Sequence, residues 1–232
     1  MKRKYIAMIP ARLESKRIPK KNIRYMGDKP LIQYPVDLAK ESGLFDSVWI
    51  NTESKELGRV AESLGVLFHD RPTELAKDGM TNREFTYEFL KRHVCDYVIM
   101  LNTTSPLLRL DTLKRFVEYV DLNDYDTVLS VVSEKEESFY NGEPLNFSLD
   151  KKTDSQFLQP IEHICWAITA WKRDTFINLQ DQGENPVYGG KLGRFTIPKD
   201  ESCDLDTIED WNIAEGILLS RQNSMTERYM NI

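Results

Sequence analysis

The sequence is poor in the residues that mark secreted and metal-rich proteins. Only three cysteines and three histidines occur among 232 residues, and the cysteines are widely spaced. This sparseness argues against a disulfide framework, against a zinc site and against a histidine-based metal site. Because free thiols favour a reducing compartment, we predict a cytoplasmic protein.

Long apolar runs and an excess of positive charge are also missing. No apolar stretch approaches the roughly 20 residues that a bilayer-spanning helix needs. The apolar start, residues 5–9, is too short for a signal peptide and is followed directly by Pro10. The formal net charge of −6 argues against nonspecific nucleic-acid binding. The composition therefore predicts neither a membrane nor a nucleic-acid partner.

Segments with strand and helix periods alternate along the chain, which is typical of an α/β protein with a mostly parallel sheet. Predicted strands cover residues 5–9, 47–52, 66–68, 97–102 and 127–132, with two shorter ones at 145–149 and 165–171. Predicted helices cover residues 31–42, 55–64, 81–93, 110–120 and 207–221. We expect a single domain over residues 1–222 and a peripheral tail at 223–232.

The regular pattern loosens between residues 134 and 164, where polar residues dominate. An interruption of this length in an α/β chain usually has a function. We expect this segment either to cover a substrate or to form a dimer interface. The tryptophans that follow, Trp166 and Trp171, are predicted to be core residues, and Cys165 is predicted to be a buried thiol.

A basic loop follows the first strand and is the strongest feature of the sequence. Its cationic and amide side chains are Arg12, Lys16, Arg17, Lys20, Lys21 and Asn22. Open α/β sheets bind ligands at the carboxyl ends of their strands, and this much positive charge suits a polyphosphate. A solvated loop is the alternative, but Pro10 and Pro19 favour a defined backbone path. The glycines of a P-loop or a dinucleotide fingerprint are absent.

The loop resembles the signature of the CMP-sialic acid synthetases (acylneuraminate cytidylyltransferases), to which the CMP-Kdo, CMP-pseudaminic and CMP-legionaminic acid synthetases are related. The residues that match the pattern I-P-A-R-x-x-S-K-x-[IL]-P-x-K-N are Ile9, Pro10, Ala11, Arg12, Ser15, Lys16, Ile18, Pro19, Lys21 and Asn22. The resemblance implies a three-layer α/β nucleotidyltransferase fold, Rossmann-like, with a mostly parallel mixed sheet of about seven strands. It also implies CTP, a divalent cation and a homodimer.

Two aspartates, Asp204 and Asp206, precede the last predicted helix. Residues two apart on an extended segment point to the same side, and two adjacent carboxylates are costly unless a cation joins them. The alternative is that Asp206 caps the helix together with Thr207 and Asp210. The segment resembles the family motif D-[IL]-D-[TS], which implies that both aspartates bind Mg²⁺, the expected cofactor.

Residues 101–109, which read LNTTSPLLR, follow another buried strand. On the residues alone, this segment is either a group of hydroxyl and amide side chains that contacts a ligand or an ordinary strand-to-helix turn. It resembles the family motif L-Q-P-T-S-P-L-R. That resemblance implies that Asn102, Thr104 and Ser105 contact the acceptor.

Residues 71–78 carry the fourth motif and resemble the family pattern R-P-x-x-L-A-x-D. On its own the segment would mean little, because surface arginines are common. The resemblance implies that Arg71 contacts the nucleotide. Thr81 falls where the family has a small hydroxyl residue near cytosine, so a nucleotide contact is expected there too.

Taken together, the resemblances imply a reaction and assign roles within it. A hydroxyl group of the sugar acid attacks the α-phosphorus of CTP and releases pyrophosphate, which requires positioning and charge neutralisation. The residues expected to act in catalysis are Arg12, Lys21 and Asp206. The residues expected to bind the nucleotide are Ala11, Arg12, Ser15, Lys16, Lys21, Asn22, Arg71 and Thr81.

The segment that corresponds to the acceptor motif differs from the family pattern. Sialic acid synthetases typically carry R-x-N-G before a late strand, whereas residues 160–166 read PIEHICW. A sialic acid carboxylate would lose a partner here, so a related acid such as pseudaminic or legionaminic acid is an open alternative. A phosphonate or other small non-sugar acid is a second alternative, and a non-catalytic nucleotide-binding module is a third.

Overall fold

The computed structural model describes residues 3–222 and is organised around a seven-stranded sheet. The strands are β1 (Tyr5–Pro10), β2 (Tyr25–Met26), β3 (Lys29–Pro30), β4 (Ser47–Thr52), β5 (Leu67–Asp70), β6 (Tyr97–Leu101), β7 (Thr127–Glu134), β8 (Phe139–Tyr140), β9 (Glu143–Pro144), β10 (Ile161–Lys172) and β11 (Leu192–Thr196). The helices are α1 (Gln33–Ser42), α2 (Lys55–Ser63), α3 (Asn82–Arg92), α4 (Leu110–Asn123), α5 (Arg173–Asp181) and α6 (Ile208–Gln222). None of the helices in this range combines the length and hydropathy that a membrane-spanning segment requires.

The central sheet is mixed and mostly parallel, which confirms the predicted fold class. Its strand order is β11-β7-β10-β6-β1-β4-β5. Strand β10 is antiparallel to its neighbours β6 and β7, and the remaining neighbours pair in parallel. The carboxyl ends of β1, β4, β5 and β6 therefore lie at one edge of the sheet, where open α/β folds bind their ligands.

Side chains of the central strands alternate between two apolar layers, as expected for a sheet that is buried on both faces. In β1, Ala7 and Ile9 pack on the face covered by α1, α2 and α4. Ile6 and Met8 pack on the opposite face, which α3 and α5 cover. The result is a three-layer arrangement whose middle layer positions the loops at the carboxyl edge.

A smaller apolar cluster joins the basic loop to the last helix. Ile18 is fully buried and packs with Leu107, Leu205 and Trp211. Burial of one such side chain stabilises a fold by about 1.5–3 kcal/mol. The basic loop therefore has a hydrophobic anchor, which a freely solvated loop would not have.

The elements predicted for the first 132 residues and for the last helix are present, with ends shifted by a few residues. After residue 134 the predicted and the observed elements agree less well, because α5 and β11 are short and show no clear hydrophobic periodicity. The strand predicted at 145–149 is wrong. The structure has instead a hairpin of β8 and β9 just before it, and Leu145 and Leu149 are exposed, so their alternation does not face a core. The predicted tail, 223–232, lies outside the described residues.

Two of the three predictions for the β10 segment need correction. Trp171 is fully buried, as predicted. Trp166 and Cys165 are only partly buried, and the Cys165 thiol donates a hydrogen bond to Ser130 Oγ at 3.3 Å.

Candidate active site

A cavity of about 960 Å³ opens at the carboxyl edge of the sheet, and we call it the nucleotide cavity. Its volume lies in the range of pockets that hold small molecules. The predicted site residues that line it are Ala11, Arg12, Ser15, Lys16, Lys21, Asn22, Arg71, Asn102 and Thr104. The structure therefore brings together residues from three of the four sequence motifs.

Hydrogen bonds fix the backbone of the basic loop around the cavity. Ala11 N donates to Asn51 O on β4 at 3.0 Å, and Asn22 Nδ2 donates to Arg12 O at 2.7 Å. Asn22 is buried, and within residues 3–222 its Oδ1 has no hydrogen-bond partner. Because a buried polar atom without a partner is costly, this oxygen is available to a donor group of a ligand.

Two loop cations reach across the cavity to Asp78 on its far rim. Lys16 Nζ forms an ion pair with Asp78, and Arg12 Nη1 lies 3.9 Å from Asp78 Oδ1. The hydrogen bond and the charge of Lys16 lower the pKa of the Asp78 carboxyl. All three side chains are at least half exposed, so these pairs are weak. A polyphosphate in the cavity can therefore replace Asp78 as their partner.

Arg71 forms part of the cavity wall beneath the loop and is only 3% exposed. Its Nη2 donates to Glu53 Oε2 at 2.7 Å and to Ala11 O at 3.0 Å, and the guanidinium lies 5.2 Å from the ring centroid of Phe85. Burial lowers the pKa of the Arg71 guanidinium, and the hydrogen bond that it donates to Glu53 opposes this effect. Its Nε has no partner among the described residues and can donate to a ligand.

The two motif aspartates do not line the nucleotide cavity, but each contacts a residue that does, Asp204 through Thr104 and Asp206 through Arg17. Arg17 Nη2 lies 2.7 Å from Asp206 Oδ1. Between the aspartates, the backbone oxygen of Leu205 accepts a hydrogen bond from Lys21 Nζ at 2.6 Å. The basic loop and the aspartate segment, which come from opposite ends of the chain, therefore form a single site.

Asp204 is an exposed residue, although protein atoms surround its carboxyl group. Burial raises the pKa of its carboxyl, the charge of Asp206 raises it further, and a hydrogen bond from Thr104 and the charge of Lys21 lower it. Burial also lowers the pKa of Lys21, against the charges of both aspartates. Two like charges in a crowded position favour the binding of a cation, so the donor set fits a metal ion.

The start of α6 is capped without the Asp206 carboxylate. Thr207 Oγ1 accepts a hydrogen bond from Asp210 N at 3.1 Å, and Asp210 Oδ2 accepts one from Thr207 N at 2.7 Å. This reciprocal pair is a capping box. The alternative in which Asp206 supplies the cap is therefore wrong.

The structure separates the three residues predicted to contact the acceptor. Asn102 and Thr104 line the nucleotide cavity, and Asn102 Nδ2 donates to Trp166 O at 2.6 Å. Ser105 is buried and is not part of the cavity lining, because it begins the turn that packs into the core. Its Oγ has no hydrogen-bond partner among the described residues, so an acceptor contact by Ser105 stays a prediction.

Thr81 also lies away from the cavity lining, although its neighbour Met80 is part of it. Its hydroxyl donates to Glu84 Oε2 at 2.7 Å and accepts from Arg83 N at 3.2 Å. Glu84 Oε2 also accepts a hydrogen bond from Thr81 N at 2.8 Å, and Thr81 and Glu84 together form the capping box of α3. The geometry therefore gives Thr81 a structural role instead of the expected nucleotide contact.

Several cavity residues had no role in the sequence interpretation, and Arg17, Glu53, Asp78 and Phe85 are the ones that contact predicted site residues. Arg17 and Asp78 lie inside recognised motifs, so their positions were visible in the sequence. Glu53 directly follows β4, and a polar residue just after a parallel strand is itself a signal. Phe85 carries no signal, because its place under Arg71 depends on how α3 packs.

A second, smaller cavity of about 330 Å³ lies beside Asp204. Its lining residues come from β7, β10 and the segment before α6: Val132, Glu134, His163, Ile164, Cys165, Trp166, Lys199, Ser202 and Asp204. We call it the side cavity. It contains much of the segment that departs from the family's acceptor motif.

Comparison with protein families decides the classification. Residues 6–225 match the family described as cytidylyltransferase. The chain belongs to this cytidylyltransferase family. It is 30% identical to N-acylneuraminate cytidylyltransferase A of Danio rerio, with 92% of this chain and 50% of the relative covered. It is 30% identical to the N-acylneuraminate cytidylyltransferase of Streptococcus agalactiae serotype V, with 90% of this chain and 52% of the relative covered.

This cytidylyltransferase spans about half the length of those relatives. A relative of similar length is the pseudaminic acid cytidylyltransferase of Campylobacter jejuni, which is 29% identical, with 91% of this chain and 95% of the relative covered. Among solved structures, CMP:2-keto-3-deoxy-manno-octonic acid synthetase in complex with CTP superposes with a TM-score of 0.69 at 17% identity, with 94% of this chain and 99% of that chain covered. The superposition confirms the nucleotidyltransferase fold.

Proposed function

We propose that this cytidylyltransferase transfers CMP from CTP to a hydroxyl group of a sugar acid and releases pyrophosphate. The observation that carries the proposal is the junction of the loop cations with Asp204 and Asp206 beside one cavity. The relatives named as N-acylneuraminate and pseudaminic acid cytidylyltransferases support an acceptor of the nonulosonic type. They also support CTP as the donor.

The cavity offers two kinds of nucleotide contact. Arg12 and Lys16 are held by exposed contacts, both to Asp78 and, for Arg12, also to Ala76 O at 3.3 Å, so they can turn to the triphosphate. Asn22 Oδ1 and Arg71 Nε are buried and unpartnered within the described part of the chain, so we assign them to the nucleoside. Lys21, fixed beside the aspartates, stabilises the charge that develops as pyrophosphate leaves.

Asp204 and Asp206 would hold Mg²⁺, which binds in proteins through one or two carboxylates together with substrate phosphates. When bound, Mg²⁺ neutralises phosphate charge at the reacting centre. Arg17 has to release Asp206 before that carboxylate can act as a ligand. Asn102 and Thr104, on the same side of the cavity, are assigned to the acceptor.

We propose that two copies of the chain associate through residues 135–160, which we call the arm. Its exposed apolar side chains are Phe139, Tyr140, Leu145, Leu149 and Phe157. A group of exposed apolar side chains on a segment that is mostly exposed is typical of a protein interface. Light scattering should show a dimer for the wild type and a monomer for Phe139→Glu combined with Tyr140→Glu. Leu122→Glu, an exposed apolar position on α4, is the matched control and should stay dimeric.

We also place the reaction in the cytoplasm. The three cysteines are free thiols, and free thiols persist in reducing compartments. Expression of a tagged chain followed by cell fractionation tests this placement.

The function itself is tested by pyrophosphate release from CTP and Mg²⁺ with a panel of acceptors. The panel contains sialic, legionaminic and pseudaminic acids, Kdo and simple phosphonates. Release with a sugar acid, abolished in Asp206→Asn, is the expected result. Release with a phosphonate alone would overturn the acceptor class, and CTP binding without any release would favour a nucleotide-binding module.

A further inference from the structure

Trp166 adopts a left-handed backbone conformation, with φ of 56°. Asp124 and Asn141 share positive φ values, and Asp and Asn tolerate this region because their short side chains form local hydrogen bonds. A bulky aromatic residue rarely adopts it. Strained residues persist only where their surroundings fix them, and they concentrate at functional sites.

The backbone around Trp166 helps to hold the nucleotide cavity in shape. The pairing of β10 with β7 shifts register between Ile164 and Thr169. Within this bulge Trp166 O accepts a hydrogen bond from Asn102 Nδ2 at 2.6 Å, and Ala167 O accepts one from Asn102 N at 3.3 Å. A glycine would give the same backbone without strain. The backbone path therefore does not explain why the residue is tryptophan.

The indole ring lies at the edge of the apolar layer under α3 and α5, which it shares with Phe85, a residue of the nucleotide cavity. Its centroid is 6.0 Å from that of Tyr188, with a tilt of 57° between the rings. Tyr188 is 47% exposed, and the indole is itself only partly buried. The two rings therefore form an aromatic surface that the apolar core covers only in part.

Trp166 is also part of the lining of the side cavity, together with Asp204. In the proposed reaction, the acceptor oxygen has to come within about 3–3.5 Å of the α-phosphorus, next to the two aspartates. The acceptor must therefore lie beside Asp204. Trp166 lines the side cavity together with Asp204. Its backbone oxygen also contacts the nucleotide cavity, because it accepts a hydrogen bond from Asn102.

We propose that Trp166 is a specificity-determining residue whose ring, supported by Tyr188, contacts an apolar substituent of the acceptor, namely a terminal methyl group. This inference rests on the proposed function. An aromatic surface binds apolar groups in preference to hydroxyl groups. The enzyme should therefore prefer a nine-carbon acid that ends in a methyl group, such as legionaminic or pseudaminic acid, over one with a fully hydroxylated tail, such as N-acetylneuraminic acid.

The test compares Trp166→Gly, which keeps the left-handed backbone and removes the ring, with Trp166→Phe, which keeps an aromatic ring. For Trp166→Gly we expect a modestly lower melting temperature, because relief of the left-handed strain only partly offsets the lost ring packing. We also expect a KM for CTP within about twofold of wild type and an acceptor kcat/KM at least about tenfold lower through KM. Its preference for the methyl-ended acids should disappear. Trp166→Phe should keep most of the acceptor kcat/KM and the preference.

Two results would overturn the inference. One is unchanged acceptor kinetics in Trp166→Gly. The other is a parallel loss of melting temperature, CTP binding and acceptor kinetics, which would make the ring a purely structural element. If the wild type releases no pyrophosphate with any acid, the proposed function fails, and binding of the same acids is measured by saturation-transfer NMR. Binding that is lost in Trp166→Gly would still support the contact, whereas equal binding, or none to the wild type, would contradict it.

Discussion

Arg17 and Asp206 form an ion pair across the mouth of the site, with Nη2 and Oδ1 2.7 Å apart. The pair joins the basic loop to the aspartate segment. Both side chains are substantially exposed, at 66% and 41%, so the pair is weak and can open. Its position means that the guanidinium and a metal ion compete for the same carboxylate oxygen.

Replacing Arg17 by Gln should strengthen metal binding in the absence of nucleotide. With the competing guanidinium gone, Asp204 and Asp206 present two uncompensated carboxylates to a cation. Titration with Mn²⁺ followed by electron paramagnetic resonance should show tighter binding, by about three- to tenfold. Lys20→Gln, a change of the same charge in the same loop, is the control and should leave Mn²⁺ affinity unchanged. Weaker binding in Arg17→Gln would show that Arg17 organises the metal site and does not compete for it.

Replacing Asp206 by Asn should reduce turnover at least about 100-fold, because a neutral amide is a poor ligand for a hard divalent cation. The folded state should keep its melting temperature, since the cap of α6 is supplied by Thr207 and Asp210. Turnover is measured as pyrophosphate release at saturating Mg²⁺. Wild-type turnover under these conditions would remove Asp206 from the metal site.

Breaking the buried pair of Arg71 and Glu53 should destabilise the fold. Arg71→Met leaves Glu53 without its partner, and loss of one member of a buried pair costs about 3–5 kcal/mol. The double variant, Arg71→Met with Glu53→Met, should recover much of this free energy of unfolding. Urea denaturation of the two single variants and the double variant gives the coupling energy.

Measurement of CTP affinity distinguishes a structural role of Arg71 from a role in nucleotide binding. If Arg71 contacts the nucleotide, the double variant should be stable and yet bind CTP at least about tenfold more weakly. Wild-type affinity in a stable double variant would restrict Arg71 to folding.

The neighbouring side chains of His69 and His93 should make the free energy of unfolding depend on pH. His69 Nδ1 and His93 Nε2 are 2.9 Å apart, and His69 Nε2 is 2.7 Å from Glu88 Oε2. Burial lowers the pKa of His69, against the effect of Glu88, and it lowers the pKa of His93 from 6.5 to about 4. The unfolded chain therefore binds protons at a higher pH than the folded chain. The free energy of unfolding should fall as the pH drops from about 6.5 towards 4.

His93→Phe is the informative variant, because the ring of His93 packs against Trp49 and Phe89 at centroid distances of 4.2 and 4.3 Å. An aromatic replacement keeps this packing and removes one titrating group. The melting temperature of the variant should therefore fall less than that of wild type between pH 6.5 and 4.5. His163→Gln, at a residue whose side chain is 59% exposed, is the control and should follow wild type. A control that behaved like His93→Phe would contradict the assignment.

The sequence predicts the parts of the fold where local pattern and burial agree. Strands β1 and β6 are apolar throughout because both faces of the sheet are covered, and such runs are recognisable. Strand β11 reads LGRFT and is mostly exposed, so nothing in its pattern separates it from a loop. Helix α5 is nine residues long and buries only Phe176 and Ile177, which is too little for a clear period.

In the site, too, features with a local sequence pattern were predictable and contacts that depend on tertiary structure were not. The loop cations and the two aspartates were recognisable because their spacing matches a motif and because each follows or precedes a regular element. The contact between Arg17 and Asp206 depends on tertiary structure that no local pattern contains. Thr81 and Ser105 show a related difficulty, because the structure places Thr81 in the cap of α3 and buries Ser105 outside the cavity lining. A hydroxyl residue at a loop boundary can cap a helix or pack inward as readily as it can contact a ligand, and only the fold decides between these roles.

The shared burial of Ile18 and Leu205 has a consequence for synthesis of the chain. The loop that carries the cations is made well before Leu205 and Trp211, two of the apolar residues that anchor it. Until Leu205 and Trp211 are available, Ile18 has no complete cluster to enter and the aspartates are still missing. A nascent chain that has not yet reached Trp211 therefore cannot form the assembled site, and nucleotide binding begins only after this segment has been made.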